Sequence, residues 1–209
     1  MATFTPTYPL TFPTSVGFTK SVLKLVRNVA ITTSVFSFSQ QTHQFQGEAW
    51  AFEGTIAPMK RENARAYQSF FTQLRGRRGT FTMKDPDNTA LLGAATGTIR
   101  VNGASQTGNQ VALDGFGNNV TNVFKSGDYI GINSYMYLIT EDASSNGSGE
   151  ANVKIEPALR SPIEPINDNT QISYGSSAQT LWRMDANDFG WDTDRVSLYG
   201  FSFSCTEVL

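Results

Sequence analysis

The chain has 209 residues, a formal net charge of −2 and 16% charged side chains. That length buries a core without metal or disulfide staples. The near-neutral charge excludes a general attraction to nucleic acid, and one cysteine and one histidine exclude a disulfide framework and a Cys/His zinc site.

Fifteen Phe and eighteen Gly, with plentiful Ser and Thr, favour β-structure with many turns. No stretch approaches the ~20 apolar residues of a membrane helix. Met-Ala-Thr-Phe offers neither a basic start nor an apolar run, so synthesis and folding in a reducing cytosol are expected.

In chain order, residues 1–18 carry Pro6, Pro9 and Pro13, which forbid a helix and a central strand. They read as an extended arm that needs another surface to lie on. Val22–Asn28 reads as a short strand. Residues 31–45 alternate around Phe36 and Phe38 as a half-buried strand, Gln46-Gly47 breaks it, and residues 48–57 alternate again through Trp50 and Phe52. The two strands pair as a hairpin.

Pro58 introduces the one helix, over 59–75, because proline is tolerated in a first helical turn. Ala64, Tyr67, Phe71 and Leu74 form its apolar stripe, with Phe70 beside it. Gly76 is placed to take the left-handed conformation past the helix end. Arg75, Arg77 and Arg78 lie where cations complement the helix C-terminus. Residues 80–84 form a strand with Phe81 and Met83 beneath the helix, and Asp85-Pro86-Asp87 closes it.

From 88 to 160 the helix signal is gone. Strands are expected at 98–101, 110–113, 128–132, 136–140 and 151–155, separated by Gly/Asn/Ser turns, as in a small antiparallel barrel. Pro157 and Pro162 mark the exit, and 198–205 is the closing strand. The fold class is therefore mainly β with one helix. Residues 1–86 and 165–209 make a split β-barrel-plus-helix domain, and residues 87–164 a small barrel inserted at a surface turn. Trp50, Phe52, Phe71, Leu74 and Phe81 are the candidate core of the split domain.

Chemistry is sparse. There is no P-loop, GxGxxG or HExxH. His43, in QQTHQF, has no neighbouring carboxylate and reads as an exposed strand position. Cys205 alternates with aromatics and reads as a small buried hydrophobe. Asp185, Asp188, Asp192 and Asp194 lack EF-hand spacing and read as a solvated, turn-rich loop. No catalytic residue, cofactor or metal ligand is assigned, and the chain is not read as an enzyme. A cell-envelope hydrolase ranks last, since no carboxylate pair shares a cleft context.

The strand end EGTIAPM, the helix and hinge AYQSFFTQLRGRRGTF and the turn KDPD resemble the tail-tip proteins of tailed bacteriophages. VNGASQTGNQVALDG, FKSGDYIGIN and EPALR are similar to the inserted segment of phage minor tail proteins. The nearest group is the distal tail protein family. The resemblance implies a structural virion protein, a ring joining the tail tube to the baseplate or receptor-binding parts. It implies a homo-oligomer, expected as a hexamer, made in the host cytoplasm and located at the tail tip, with neither nucleic-acid specificity nor membrane insertion. Arg75, Arg77 and Arg78 are then candidate subunit-interface residues. The alternative is a carbohydrate-binding module for host adhesion, stacking sugar on Tyr129, Tyr135, Tyr137 or Trp191.

Overall fold

Alternating apolar and polar residues produce thirteen strands and one α-helix among the described residues, 5–160 and 165–209 of a computed structural model. The first four residues of the arm, and Pro162 at the exit of the insert, lie outside them.

The fold is mainly β, in two curled half-barrel sheets. The first has seven strands: β1 (Leu10–Thr11), β2 (Phe18–Thr33), β3 (Gln40–Lys60), β4 (Phe81–Met83), β11 (Thr180–Met184), β12 (Asp192–Thr193) and β13 (Leu198–Glu207). Their order is β1-β4-β11-β13-β3-β2, with β12 on β13. The second has six: β5 (Arg100–Val101), β6 (Gln110–Asp114), β7 (Tyr129–Ile132), β8 (Tyr135–Ile139), β9 (Ala151–Glu156) and β10 (Ser173–Tyr174), ordered β10-β7-β8-β9-β6-β5. The six-stranded sheet draws only on residues 100–174, and the chain stays with it past residue 164.

The helix α1 (Arg61–Leu74) lays Ala64, Tyr67, Phe70, Phe71 and Leu74 on the first sheet. It starts later than the sequence pattern predicts. Pro58 lies inside β3, where the β3–β13 register slips between Tyr199 and Phe201. A bulge tolerates the missing N–H, so the proline extends the strand instead of opening the helix.

The chain turns left-handed one residue before the expected glycine. Arg75 has φ 53° and its N–H meets the Thr72 carbonyl. Gly76 follows at φ 65°, and a Cβ there would sit 2.6 Å from the Asn187 carbonyl oxygen. Gly79 donates to the Leu74 carbonyl at 2.8 Å, and its Cβ would meet Tyr8. The hinge needs both glycines because other backbone presses on it.

The extended arm finds its surface within the chain. It lies on its own domain: Leu10 and Thr11 pair in parallel with Phe81 and Thr82. The Tyr8 hydroxyl donates to the Gln73 carbonyl at 2.7 Å, and the Tyr67 hydroxyl to the Val16 carbonyl at 2.7 Å. Phe12 is buried, with its ring against Phe70, Phe71, Phe81 and Phe203. The prolines keep the segment extended, and the aromatic residues between them close the bottom of the core.

Trp50, Phe52, Phe71, Leu74 and Phe81 are buried together with Trp182, Phe201, Phe203 and Cys205. Burial pushes the Cys205 thiol up. A second cluster, around Ile99, Leu113, Phe124, Ile130, Tyr137 and Ile155, fills the six-stranded sheet.

Phe71 packs against Phe189 at 3.9 Å between ring centroids and against Phe70, Phe201 and Phe203. Truncation leaves a cavity walled by rigid rings that collapse poorly. Phe71→Ala should lower unfolding free energy by about 3–5 kcal/mol, read by urea denaturation. An unchanged midpoint would remove α1 from the core.

Candidate assembly surface and inter-sheet seam

Strands β2 and β3 form one long hairpin of 16 and 21 residues. Its inner half belongs to the core, where Leu23, Leu25, Trp50, Phe52 and Ile56 pack. The register there is Leu23↔Phe52 and Leu25↔Trp50. Beyond Arg27↔Glu48 the ladder bulges and resumes at Val29↔Gln44, running to Thr33↔Gln40. This outer half is exposed on both faces. At 3.3 Å per residue, it projects by about 25 Å.

The turn is not where the sequence pattern puts it. Ser34 donates its N–H to the Ser39 carbonyl, and its own carbonyl accepts the Phe38 N–H. Its hydroxyl accepts from the N–H groups of Phe36 and Ser37. A serine that satisfies three backbone donors makes a turn out of a segment that alternates like a strand. Phe38 adopts φ 54° as a result. Phe36 is 95% exposed and Phe38 79%, neither of them half-buried. Gln46-Gly47, expected as the break, is the bulge instead.

The projecting half is apolar where a solvated hairpin would be polar. Val29, Ile31, Val35, Phe36, Phe38 and Phe45 are all exposed there, and Val26 is exposed just inside it. Val29 and Ile31 share one face, and Ala30 lies on the other, opposite His43, which meets the Phe45 ring at 4.8 Å. Among the described residues β2 also ends the sheet, with β3 as its one strand partner.

At the base of the hairpin, buried Glu48 fixes its direction. Its carboxylate lies 3.3 Å from Arg27 Nε and accepts from Gln44 Nε2 at 2.8 Å and from the Ala158 N–H at 3.3 Å. Arg27 also pairs with Glu156. Deeper in the seam, Glu207 accepts from Arg160 Nη2 at 2.9 Å, the Trp50 N–H at 3.1 Å and the Thr180 hydroxyl at 2.9 Å. The Trp50 indole donates to the Met136 carbonyl at 2.8 Å. Tyr137 accepts the Arg160 N–H, and its hydroxyl is pushed up by burial.

The three hinge arginines are exposed. The Arg77 carbonyl accepts from Arg183 Nη1 at 3.0 Å, and its N–H donates to Asn187 Oδ1. They lie at the helix end, away from the hairpin's strands in the sheet order. The aromatic residues named for sugar stacking do not gather. Tyr137 is buried, Tyr129 and Tyr135 are half-buried, and Trp191 is exposed on the acidic loop. Burial, then Asp85, raises the Tyr129 hydroxyl. Asp194 caps its own turn, accepting from the Val196 and Leu198 N–H groups, and Asp185 accepts from the Thr206 hydroxyl. Among the described residues no three His, Cys, Asp or Glu side chains group as metal ligands.

Sequence reasoning missed the hairpin tip and both seam carboxylates. The tip was legible in Ser34 and Ser39 as turn formers. Glu48, Arg160 and Glu207 are far apart in sequence, and nothing local marks them as partners.

No protein-family model matches the chain, and no curated protein matches it.

Burial raises the Glu207 carboxyl above its ordinary 4.5, against the opposing pull of Arg160 and the other donors. The folded state then holds this proton more tightly than the unfolded chain does. Through this group, stability is greatest at acid pH and is lost as pH rises through the folded value. Arg160→Met leaves the carboxylate buried without its cation. It should cost about 3–5 kcal/mol at neutral pH. The gap from the parent should narrow at about pH 5, where Glu207 protonates more readily. Urea unfolding at both pH values measures it, and a pH-independent gap would assign the loss to packing alone.

Proposed function

We propose that the chain is a structural protein of a bacteriophage tail tip, which closes into a homo-oligomeric ring through its long hairpin. One observation carries the reading: an apolar hairpin that projects about 25 Å from a folded body, with one strand edge unpaired among the described residues. Apolar surface gains about 25 cal/mol per Å² when buried, and an open edge offers a row of N–H and C=O groups to another strand. A second copy of the same hairpin supplies both an apolar face and a strand edge. Because the outer half is exposed on both faces, one side of a hairpin can meet the opposite side of the next, and that head-to-tail contact, repeated by a fixed rotation, closes a ring.

The resemblance of the helix, hinge and DP turn to distal tail proteins gives this ring its place. It would join the tail tube to the baseplate or receptor-binding components, as a virion part without catalytic function. Six copies is the order that the resemblance suggests. The exposed arginines of the hinge lie away from the hairpin's strands, where they are available to neighbouring tail proteins or to the next subunit.

In light scattering at micromolar concentration, the protein should run near six times its 22.9 kDa chain mass, and electron micrographs should show rings with a central hole. Phe36→Asp with Phe38→Asp should release folded monomers with unchanged circular dichroism, because both side chains are exposed. A parent protein that stays monomeric across salt conditions would end the ring reading. A double variant that still assembles would move the contact off the hairpin tip.

A further inference from the structure

The seam between the hairpin and the six-stranded sheet forms an open cleft of about 520 Å³. That is within the roughly 300–1,000 Å³ of small-molecule sites. Three segments wall it: residues 44–48 of β3, the turn at 107–109, and residues 158–160. They are tied to one another. The Leu159 N–H donates to the Gly108 carbonyl at 2.8 Å, and the Ala158 N–H to Glu48. The hairpin bulge falls within the first wall, between Glu48 and Gln44. Bulges re-aim side chains, and here Phe45 and Gln46 both line the cleft.

The lining mixes apolar groups, Phe45, Ala158 and Leu159, with polar ones, and each charge in it is paired. The amides of Gln44, Gln46 and Asn109 and the Thr107 hydroxyl are all present. The two ionic groups each have a counter-ion within the protein: Glu48 has Arg27, and Arg160 has Glu207. A phosphate or a uronate would find no uncompensated cation there, and an amine no uncompensated carboxylate. Amides and a hydroxyl offer donors and acceptors in close pairs, which suit vicinal hydroxyl groups. The half-exposed Phe45 ring adds a flat apolar face of the kind that packs on the C–H side of a sugar. Arg160, 6% exposed, lines the cleft, and its Nε has no acceptor among the described residues.

We propose that this seam cleft binds a neutral saccharide of two or three residues, held by Gln44, Gln46, Asn109 and Thr107 and covered by Phe45. The site is separate from the aromatic residues Tyr129, Tyr135, Tyr137 and Trp191. It does not depend on ring formation, since its walls all come from one chain.

The test titrates the full-length protein with maltotriose, cellotriose and tri-N-acetylchitotriose, by calorimetry and saturation-transfer NMR. Trigalacturonate and N-acetyl-trialanine amide serve as the charged and peptide probes. At least one neutral trisaccharide should bind at millimolar concentration or better, with affinity unchanged between low and high salt. Phe45→Ala with Gln46→Ala should weaken it at least tenfold, and both side chains are exposed, so the fold should survive. Phe36→Asp with Phe38→Asp should leave binding intact even where assembly is lost, which separates this site from the ring. No binding by any neutral probe overturns the proposal. So does binding that the Phe45/Gln46 variant leaves untouched, or a preference for the uronate or the peptide.

Discussion

The Glu207 carboxylate sets the terms for the rest of the molecule. A charge removed from water needs donors on all sides, and bringing them together fixes the segments that carry them. Its donors come from β3, from β11 and from the segment that leaves β9. Those segments belong to two different sheets. The carboxylate therefore acts as a dowel between the half-barrels, more than as a source of stability for either. Trp50 extends the same joint, since its backbone meets Glu207 while its indole meets the Met136 carbonyl of β8. Met136, Tyr129 and Leu138 pack on the first core, while Ile130, Tyr137 and Ile139 pack in the second. β8 is thus covered on both faces, and the two sheets share it as a wall.

The hairpin inherits its direction from this joint. Leu25↔Trp50 is the last core pair, and Glu48, two residues on, pins the strand to Ala158 while Arg27 reaches Glu156. Beyond that point the hairpin's apolar side chains remain exposed among the described residues. The burial pattern of β3 changes at Glu48, from alternation toward Lys60 to full exposure toward Gln40. Such a boundary separates residues chosen for the fold from residues chosen for something outside it.

Much of the fold was legible because its signals are local. Alternation located the strands of the six-stranded sheet to within a residue or two, as at Gln110–Asp114, Tyr135–Ile139 and Ala151–Glu156. The stripe of Tyr67, Phe71 and Leu74 located the helix. What failed was local evidence that two structures share. SVFSFS alternates like a strand, and only the Ser34 hydrogen bonds make it a turn. Pro58 fits a first helical turn or a bulge, and the pairing of Met59 with Tyr199 decides for the bulge. β1, β10 and β12 are two residues each and leave no periodic trace. The buried ion pair joins residues 160 and 207, and no local pattern announces a contact of that range.

The arm shows how one reassignment sharpens the rest. Read as a free segment, it would have been the obvious element to offer a neighbour. Its aromatic residues instead close its own core, with Phe12 at the centre of a ring of phenylalanines and Tyr8 capping the hinge. Most of the large apolar side chains left exposed among the described residues then lie on the hairpin. The hinge helps to hold the arm in place. Gly79 lets Tyr8 lie against the chain, and the parallel pairing of β1 covers β4, which would otherwise be the second open edge of the sheet. With one edge shortened to a two-residue strand and the other left long, the β2 edge is the one open to pairing with another strand among the described residues. A contact through one identical patch on every copy would be two-fold, so a ring needs a second, different patch on each copy, and the outer hairpin, exposed on both faces, carries two.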